Sequence, residues 1–527
     1  MFFQNVSENF LLSVRRFPDK TALVFGDTRY TYSQANTRIN HIANGLTALG
    51  IRPGDKVAFL FPNCCEIVLI YYAIQKIGAV AVPLNFRLIS REIRFLIENS
   101  DSCVLVFSPE FCDKVADTGL DGKLRLVCGG DDPRFSLTLS GLEDMGSSEE
   151  PELFLNGDAL SRIQFTGGST GLPKGVMRTH NQDLCELFGE MMYSKIGADP
   201  DAVVLIQCPL EHHGGHSWFT ATLAAGGTLI ICAAYDPDKV LGSIERERVT
   251  HMLLLPPTTY LRLCEYPGTA GRDLSSVRVA QSAAGGTNLQ IICEMSRVFT
   301  NAELYYGWGQ TESGLGSTVI LSKADCRGQN GYTNCVGRAM PFMEMKIVDE
   351  NWNELPRGEI GEAAVRSPAC MKGYYKQPQL TAALMGPDGW MRTGDIMYED
   401  ADGYFYMLSR KKNVIKSGGE NVFCEDVESV IRLHPVVEQC VVTGVPDPKL
   451  GEAVMAIIQL KPGATLTLAE LQAHCKKHIS SYKKPLYMEI VDDFDMDDAG
   501  KIRQDWLLNK CIKTQISNDL DEKGDTR

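Results

Sequence analysis

The chain has no excess of positive charge: 52 Lys and Arg stand against 66 Asp and Glu, a formal net charge of −14 over 527 residues. Nucleic acid and an anionic membrane surface are therefore excluded as obligate partners, although a local basic patch for one phosphorylated ligand is compatible with this balance. Long apolar runs are also missing. The longest, residues 67–84, is interrupted by Gln75, Lys76 and Gly78 and closed by Pro83, so no integral membrane segment is expected. The seventeen cysteines are odd in number and contain no C-x-x-C pair. With no secretory leader expected ahead of them, they read as reduced thiols in the cytoplasm. What is present is globular: 44% hydrophobic and 22% charged residues, enough for at least two domains.

Residues 8–17 place Phe10, Leu11 and Val14 at helical spacing, and 21–25 with 30–32 flank Gly26-Asp27 as a hairpin before a helix over 33–49. Strands then alternate with helices: 57–61, 79–83 and 104–107 are strands, 64–77 and 90–99 helices. That alternation predicts a mostly parallel sheet covered by helices. Residues 129–151 are polar and less patterned. A second run, with strands over 203–207, 228–232, 252–255, 278–281 and 303–306, predicts a second α/β subdomain. Short β segments such as 344–348 and 362–366, between Gly and Pro turns in 331–395, predict a small β-rich subdomain. Beyond Arg410 a compact unit is expected: helix 425–433, strands 436–444 and 453–460, helix 468–478. The polar tail from about 517 lacks the apolar residues to bury itself and reads as disordered.

The segment 166–175, TGGSTGLPKG, follows the strand-like Ile163-Gln164-Phe165 and precedes the second run. Gly167, Gly168 and Gly171 let backbone N–H groups turn inward together, Thr166, Ser169 and Thr170 add hydroxyls, and Lys174 adds a mobile point charge, as a phosphate requires. Composition alone also suits a flexible surface loop. A P-loop is excluded, because it needs glycine before its lysine and a hydroxyl residue after it, whereas Pro173 precedes Lys174 and Gly175 follows.

Four more stretches follow in order: YGWGQTES (306–313), RTGD (392–395), SRKKNVIKSGGENV (409–422) and AGKIR (499–503). With TGGSTGLPKG they resemble the signature of the adenylate-forming (AMP-binding) superfamily, which includes acyl-CoA synthetases, aryl-CoA ligases, beetle luciferases and peptide-synthetase adenylation domains. The resemblance runs from about Phe10 to Leu508. It implies an α/β protein with a large N-terminal domain, 1–411, of two α/β subdomains and a β-rich one, and a smaller mobile α+β C-terminal domain, 412–527. The implied activity is an ATP-dependent acid:CoA ligase. It forms an acyl adenylate with release of pyrophosphate, then an acyl-CoA with release of AMP, using ATP, Mg²⁺ and coenzyme A.

Residue by residue, the resemblance puts the β- and γ-phosphates on the glycine-rich loop, Mg²⁺ on Glu312 and the α-phosphate near Thr311, with Gly309 among the nucleotide-binding residues. A helix cap is the plain alternative for Glu312. Trp308 stands where the family has a flat residue beside adenine, or is a core aromatic, and Gly285 and Gly286 match the small-residue segment at the base. Asp395 corresponds to the carboxylate on the ribose hydroxyls, Arg410 to a second ribose contact and Lys412 to the hinge. Lys416, Gly418, Gly419 and Glu420 resemble the loop lining the pantetheine tunnel. Lys501 matches the lysine of adenylation, but Asp495, Asp497 and Asp498 beside it depart from the family pattern and screen its charge. The segment CPLEHHGGH (208–216) resembles the family's acyl-pocket segment, with His212 on its histidine and Glu211 replacing an aromatic. Glu211 either faces solvent or meets a polar or cationic group of the acid. His212, His213 and His216 also have metal-like spacing, yet the family uses this segment to gate the acid, and zinc is not expected.

Two other functions stay open. One is an adenylating enzyme that loads a separate carrier protein or oxidises its adenylate; the other is a non-catalytic nucleotide-binding relative. Glu312, Asp395, Arg410 and Lys501 argue against the second, and no carrier domain is expected to follow. Aliphatic, aromatic and carnitine-like acids are all compatible, as is a homodimer.

Overall fold

A computed structural model describes residues 5–152, 155–166, 173–199, 201–283, 289–321, 335–417, 420–447, 449–495 and 506. Its internal contacts group the chain into two compact units, one of 1–345 with 364–392, the other of 346–363 with 393–527. The β-rich stretch thus contributes to both.

The first unit carries two sheets. In one, Lys56–Leu60 lies between Val80–Leu84 and Ser102–Phe107, all parallel, and Arg125–Cys128 continues the sheet outward. Helix Cys65–Lys76 is apolar on nearly every face and all but one of its residues are buried. A helix of that kind is stable only with cover all round. Leu160–Thr166 joins the sheet through Arg162 opposite Ala81, and Lys174–Thr179 folds back antiparallel to it. In the second sheet Thr228–Ile231, Val203–Ile206, His251–Leu253, Val279–Ser282 and Glu303–Gln310 are parallel, then Gly314–Leu321 returns antiparallel.

Two expectations are corrected by the structure, and the expected hairpin gains a partner that the sequence reading did not assign. The hairpin Thr21–Phe25 and Thr28–Thr31 does not join the sheet that follows it in sequence; Leu23 pairs with Leu229 in the second sheet. Tyr32 is helical, because Thr31 Oγ1 accepts from the Gln34 N–H (3.2 Å) and Gln34 Oε1 accepts from the Thr31 N–H (2.9 Å), a reciprocal cap that starts the helix at Tyr32–Ala48. The polar stretch 129–151 holds helix Leu139–Met145, started by the Thr138 hydroxyl on the Gly141 N–H.

In the second unit, Val437–Asp447 and Gly451–Leu460 pair antiparallel over most of their length, with Tyr487–Val491 parallel beside the latter. Helices Cys424–Ile431 and Leu468–His478 cover this sheet, and Val427, Ile431, Leu471 and Cys475 fill the core between. The expected helix–strand–strand–helix order is thus found, the last helix at its expected bounds and the other three elements with ends shifted by at most three residues.

Three buried titratable groups of the first unit contribute to the pH dependence of stability. Burial pushes the pKa of His180 and of His251 down from 6.5 to about 4, and burial together with Glu186 pushes Glu190 up to about 8. The histidines are neutral in the fold, so the unfolded chain binds protons first as pH falls below 6.5, and stability drains toward about 4. Glu190 is protonated in the fold, so its contribution is full below the usual 4.5 and is lost as pH rises to about 8. Thermal midpoints should peak near pH 6.5, at roughly the unfolded histidine pKa. Glu190→Gln should flatten the alkaline limb and His180→Gln the acid limb; a profile unchanged by both would refute the assignment.

Candidate active site

The strands Leu160–Thr166 and Lys174–Thr179 form a hairpin in which Thr166 pairs with Lys174, so the two ends of the glycine-rich loop are brought together. Lys174 Nζ stands 5.4 Å above the ring of Tyr374. The Tyr374 hydroxyl donates to Glu312 Oε1 at 2.8 Å. Lysine, tyrosine and glutamate therefore converge from three separate stretches. Tyr374 is carried there by a two-residue strand, Gly373–Tyr374, paired with Val176 and Met177 on the outer strand of the hairpin. Burial, then the Glu312 carboxylate, push the Tyr374 phenol well up, so it remains a donor throughout the working range.

Glu312 occupies a turn between Glu303–Gln310 and Gly314–Leu321. Ser313 Oγ accepts from the Gln310 N–H (3.2 Å) and donates to the Gly314 carbonyl (2.9 Å), and Gly314 takes φ +72°, which favours glycine. The Met371 N–H donates to the Glu312 carbonyl at 2.7 Å and holds the turn from the far side. Thr311 is half-buried and Gly309 exposed in this turn region. Trp308 is buried, and its indole lies so close to Gly316 that a Cβ there would approach it to 2.3 Å. The indole therefore packs on the neighbouring strand.

In the second unit, Asp395 and Arg410 are cross-strand partners and an ion pair at 2.7 Å, with the Asp395 side chain fully buried. Gly394 turns with φ +73°. Its N–H donates to Glu362 Oε1 (3.1 Å), while Lys411 Nζ donates to Glu362 Oε2 (3.0 Å). Glu362 escaped the sequence reading; it ties the R-T-G-D turn to the residue beside Lys412. Lys412 lies in the single 3₁₀ turn Lys411–Asn413. Lys416 and Glu420 are exposed on the hairpin Val414–Ser417 and Glu420–Phe423, where Ser417 pairs with Glu420.

The histidine segment leads into helix His213–Ala225. His212 is its N-cap residue, with 38% of its side chain exposed and Nε2 at 3.4 Å from Asn85 Nδ2. Its two neighbours point elsewhere. His213 Nε2 lies 2.8 Å from Glu186 Oε1, and His216 is buried 4.9 Å from the ring of Tyr71. Among the described residues no group of three or more His, Cys, Asp or Glu side chains is placed to hold a metal ion. Glu211 is 1% exposed, which removes the solvent-facing alternative. Gly167, Gly168, Ser169, Thr170, Gly171, Gly285, Gly286, Gly418, Gly419, Lys501 and the tail from about 517 lie outside the described residues.

A doubly sheeted α/β unit followed by a smaller α+β module, with the five motifs in this order, defines an adenylate-forming fold. The chain matches the AMP-binding enzyme family over residues 10–375 and the AMP-binding enzyme C-terminal domain over 426–501, and it belongs to that family. Feruloyl-CoA synthase of Amycolatopsis sp. is 34% identical over 489 residues, 93% of this chain and 95% of that protein. Crotonobetaine/carnitine–CoA ligase of Escherichia coli O1:K1 / APEC is 31% identical over 503 residues, 92% and 95% of the two chains. Among solved structures, ATP-bound MatB from Rhodopseudomonas palustris superposes with a TM-score of 0.87 at 27% identity, covering 96% of this chain and 98% of that one. The amide bond synthetase McbA from Marinactinospora thermotolerans does so with 0.83 at 28%, covering 96% and 99%.

Proposed function

We propose that this chain, an ATP-dependent acid:CoA ligase of the AMP-forming type, adenylates its acid on the residues assembled around Glu312 and then passes the acyl group to the CoA thiol after the C-terminal module, 412–527, has turned. The observation that carries the first half is the convergence of Lys174, Tyr374 and Glu312 beside the glycine-rich loop. Adenylation brings a carboxylate to a phosphate, two anions that repel one another, so cations and donors must offset the charge that develops. Lys174 supplies a cation at the mouth of the loop, and Glu312 with the Thr311 hydroxyl offers the hard oxygen donors that Mg²⁺ takes. The donor set fits that ion, which when bound neutralises phosphate charge. In this reading Asp395 accepts hydrogen bonds from the ribose hydroxyls and Arg410 holds its carboxylate in place. His212 lines the acid pocket, Lys501 serves the first half-reaction, and Lys416 to Glu420 serve the second.

The test is acid-dependent exchange of pyrophosphate into ATP, and AMP release with and without CoA, across ferulate, carnitine, fatty acids and o-succinylbenzoate. Ferulate and carnitine head the panel because enzymes named for those acids align over nearly the whole chain. AMP release that responds to an added amine and ignores CoA would favour amide synthesis, a reading that the likeness to McbA keeps in view. Lys501→Ala should lower exchange by about a hundredfold or more while CoA transfer from a supplied acyl adenylate stays close to the parent, because a cation matters where charge develops. Equal loss of both half-reactions would remove Lys501 from that role.

A further inference from the structure

Behind the phosphate hairpin lies a ring of buried ionisable side chains that none of the roles above uses. Arg162 and Arg178, one from each strand of the hairpin, share Asp183: Arg162 Nη2 and Arg178 Nε each donate to Oδ1 at 3.0 Å, and all three side chains are at most 1% exposed. Arg178 Nη2 donates to Glu186 Oε2 at 2.7 Å. Glu186 Oε1 lies 2.8 Å from His213 Nε2, and His213 Nδ1 accepts from Arg162 Nη2 at 2.9 Å, which closes the ring. Two cations balance two carboxylates. The arginines hold the Asp183 carboxyl well below its usual range against the opposing effect of burial. Such clusters are weak devices for stability, since apolar side chains of the same volume avoid the desolvation penalty. What the ring touches is more informative.

Each arginine brackets one candidate site residue. Arg178 Nη1 donates to the Ala369 carbonyl (2.7 Å) and reaches the Thr311 carbonyl (3.4 Å). Thr311 precedes Glu312, and Met371, two residues after Ala369, donates its N–H to the Glu312 carbonyl. Arg162 holds His213, the residue after His212. Its Nη1 also donates to Gln164 Oε1 (3.2 Å), whose Nε2 donates to the carbonyl of Glu211, the residue before His212, at 2.8 Å.

We infer that Arg178 and Arg162 are positioning residues, Arg178 for the Glu312 turn on the nucleotide side and Arg162 for the His212 segment on the acid side. Asp183 and Glu186 join them so that the two sides keep one spacing. This rests on the function proposed above. Near-attack geometry is lost with small misplacements, so a rigid link between the supports of two reactants has a direct catalytic use. The planar guanidinium can span two partners at once; a lysine keeps the charge opposite the carboxylates but contributes a single nitrogen.

Arg178→Lys and Arg162→Lys therefore read the two arms separately. In pyrophosphate exchange, Arg178→Lys should raise the KM for ATP about tenfold or more and leave the acid KM within about twofold, and Arg162→Lys should do the reverse, the range seen when an outer partner of a site residue is removed. Calorimetric titration with ATP and Mg²⁺ in the absence of acid should show the same split: weakened for Arg178→Lys, parent-like for Arg162→Lys. A ring that only holds the fold gives lower melting temperatures and a lower kcat with both KM values unchanged; that result, or equal shifts of both KM values in both variants, overturns the inference. If the parent shows no acid-dependent exchange, the functional reading fails, and the ATP titration alone decides the positioning role. If a lysine variant fails to fold, Gln164→Leu, which keeps every charge of the ring, decides the case: the acid KM must rise with ATP binding unchanged.

Discussion

Glu312→Ala is expected to reduce acid-dependent pyrophosphate exchange by two to three orders of magnitude, on the order of the loss when one charge-stabilising group is removed from a transition state. The structure makes this variant a clean one. Glu312 is only half-buried, and its turn is held by the Met371 N–H on the Glu312 carbonyl and by the bonds of the Ser313 hydroxyl, all of which alanine at 312 leaves in place. The melting temperature should fall by only a few degrees, the cost of leaving the hydroxyl of buried Tyr374 without its acceptor. The concentration of Mg²⁺ that half-saturates the remaining exchange should rise, because a hard oxygen donor has been withdrawn. Tyr374→Phe, which removes the hydroxyl donated to Glu312 at 2.8 Å, should have the smaller effect of about tenfold, as expected for a group that orients a ligand without touching the reaction. Exchange at the parent rate in Glu312→Ala, or an unmoved Mg²⁺ requirement, would mean that the carboxylate serves the turn and not the nucleotide.

How much of this was legible in the sequence depended on whether the determining contacts were local. The reciprocal cap of helix Leu468–His478 sits within one turn of the chain, and the predicted bounds match the observed ones. The alternation of strand and helix before residue 110 likewise encodes its own sheet, since each strand is apolar and each connection long enough for a parallel return. Distant contacts left no such trace. The opening hairpin pairs with a strand about two hundred residues away, and nothing in its own sequence distinguishes that edge from the nearer one. Tyr374 reaches Glu312 across 62 residues, and Glu362 reaches Gly394 across 32. For the arginine ring a fainter signal did exist: Arg162 and Arg178 sit among apolar residues in the strands LSRIQFT and KGVMRT, and a charge that becomes buried there requires a partner. Asp183, Glu186 and Glu190 recur at helical spacing in the following helix and supply acids for one face. Trp308 shows the opposite limit, since the same aromatic serves a base or a strand neighbour, and only the packing against Gly316 tells what it touches.

Lys412→Pro should retain adenylate formation and slow transfer to CoA by orders of magnitude, the expected pattern when a domain turn between two steps is blocked. Lys501 and the loop from Lys416 to Glu420 belong to the same C-terminal module, about eighty residues apart in the sequence, with several strands and two helices between them. In the proposed assignment the two serve different half-reactions, so the module would present them in turn, in two poses. The pivot proposed at Lys412 lies in the 3₁₀ turn Lys411–Asn413, between the strand that carries Arg410 and the one that carries Lys416. Proline fixes φ at 412 and removes the N–H, and it also disfavours helical backbone at Lys411, whose Nζ bonds Glu362 at 3.0 Å. That second effect provides the rival outcome. If proline merely loosens the Lys411–Glu362 contact, the module is destabilised, the melting temperature falls and both half-reactions are lost together. Lys411→Met isolates the contact: it removes the bond to Glu362 with the backbone left free to rotate, and it should keep CoA transfer within about tenfold of the parent, the scale of one lost charge-assisted hydrogen bond. Transfer from a supplied acyl adenylate at the parent rate in Lys412→Pro would exclude a pivot at this residue.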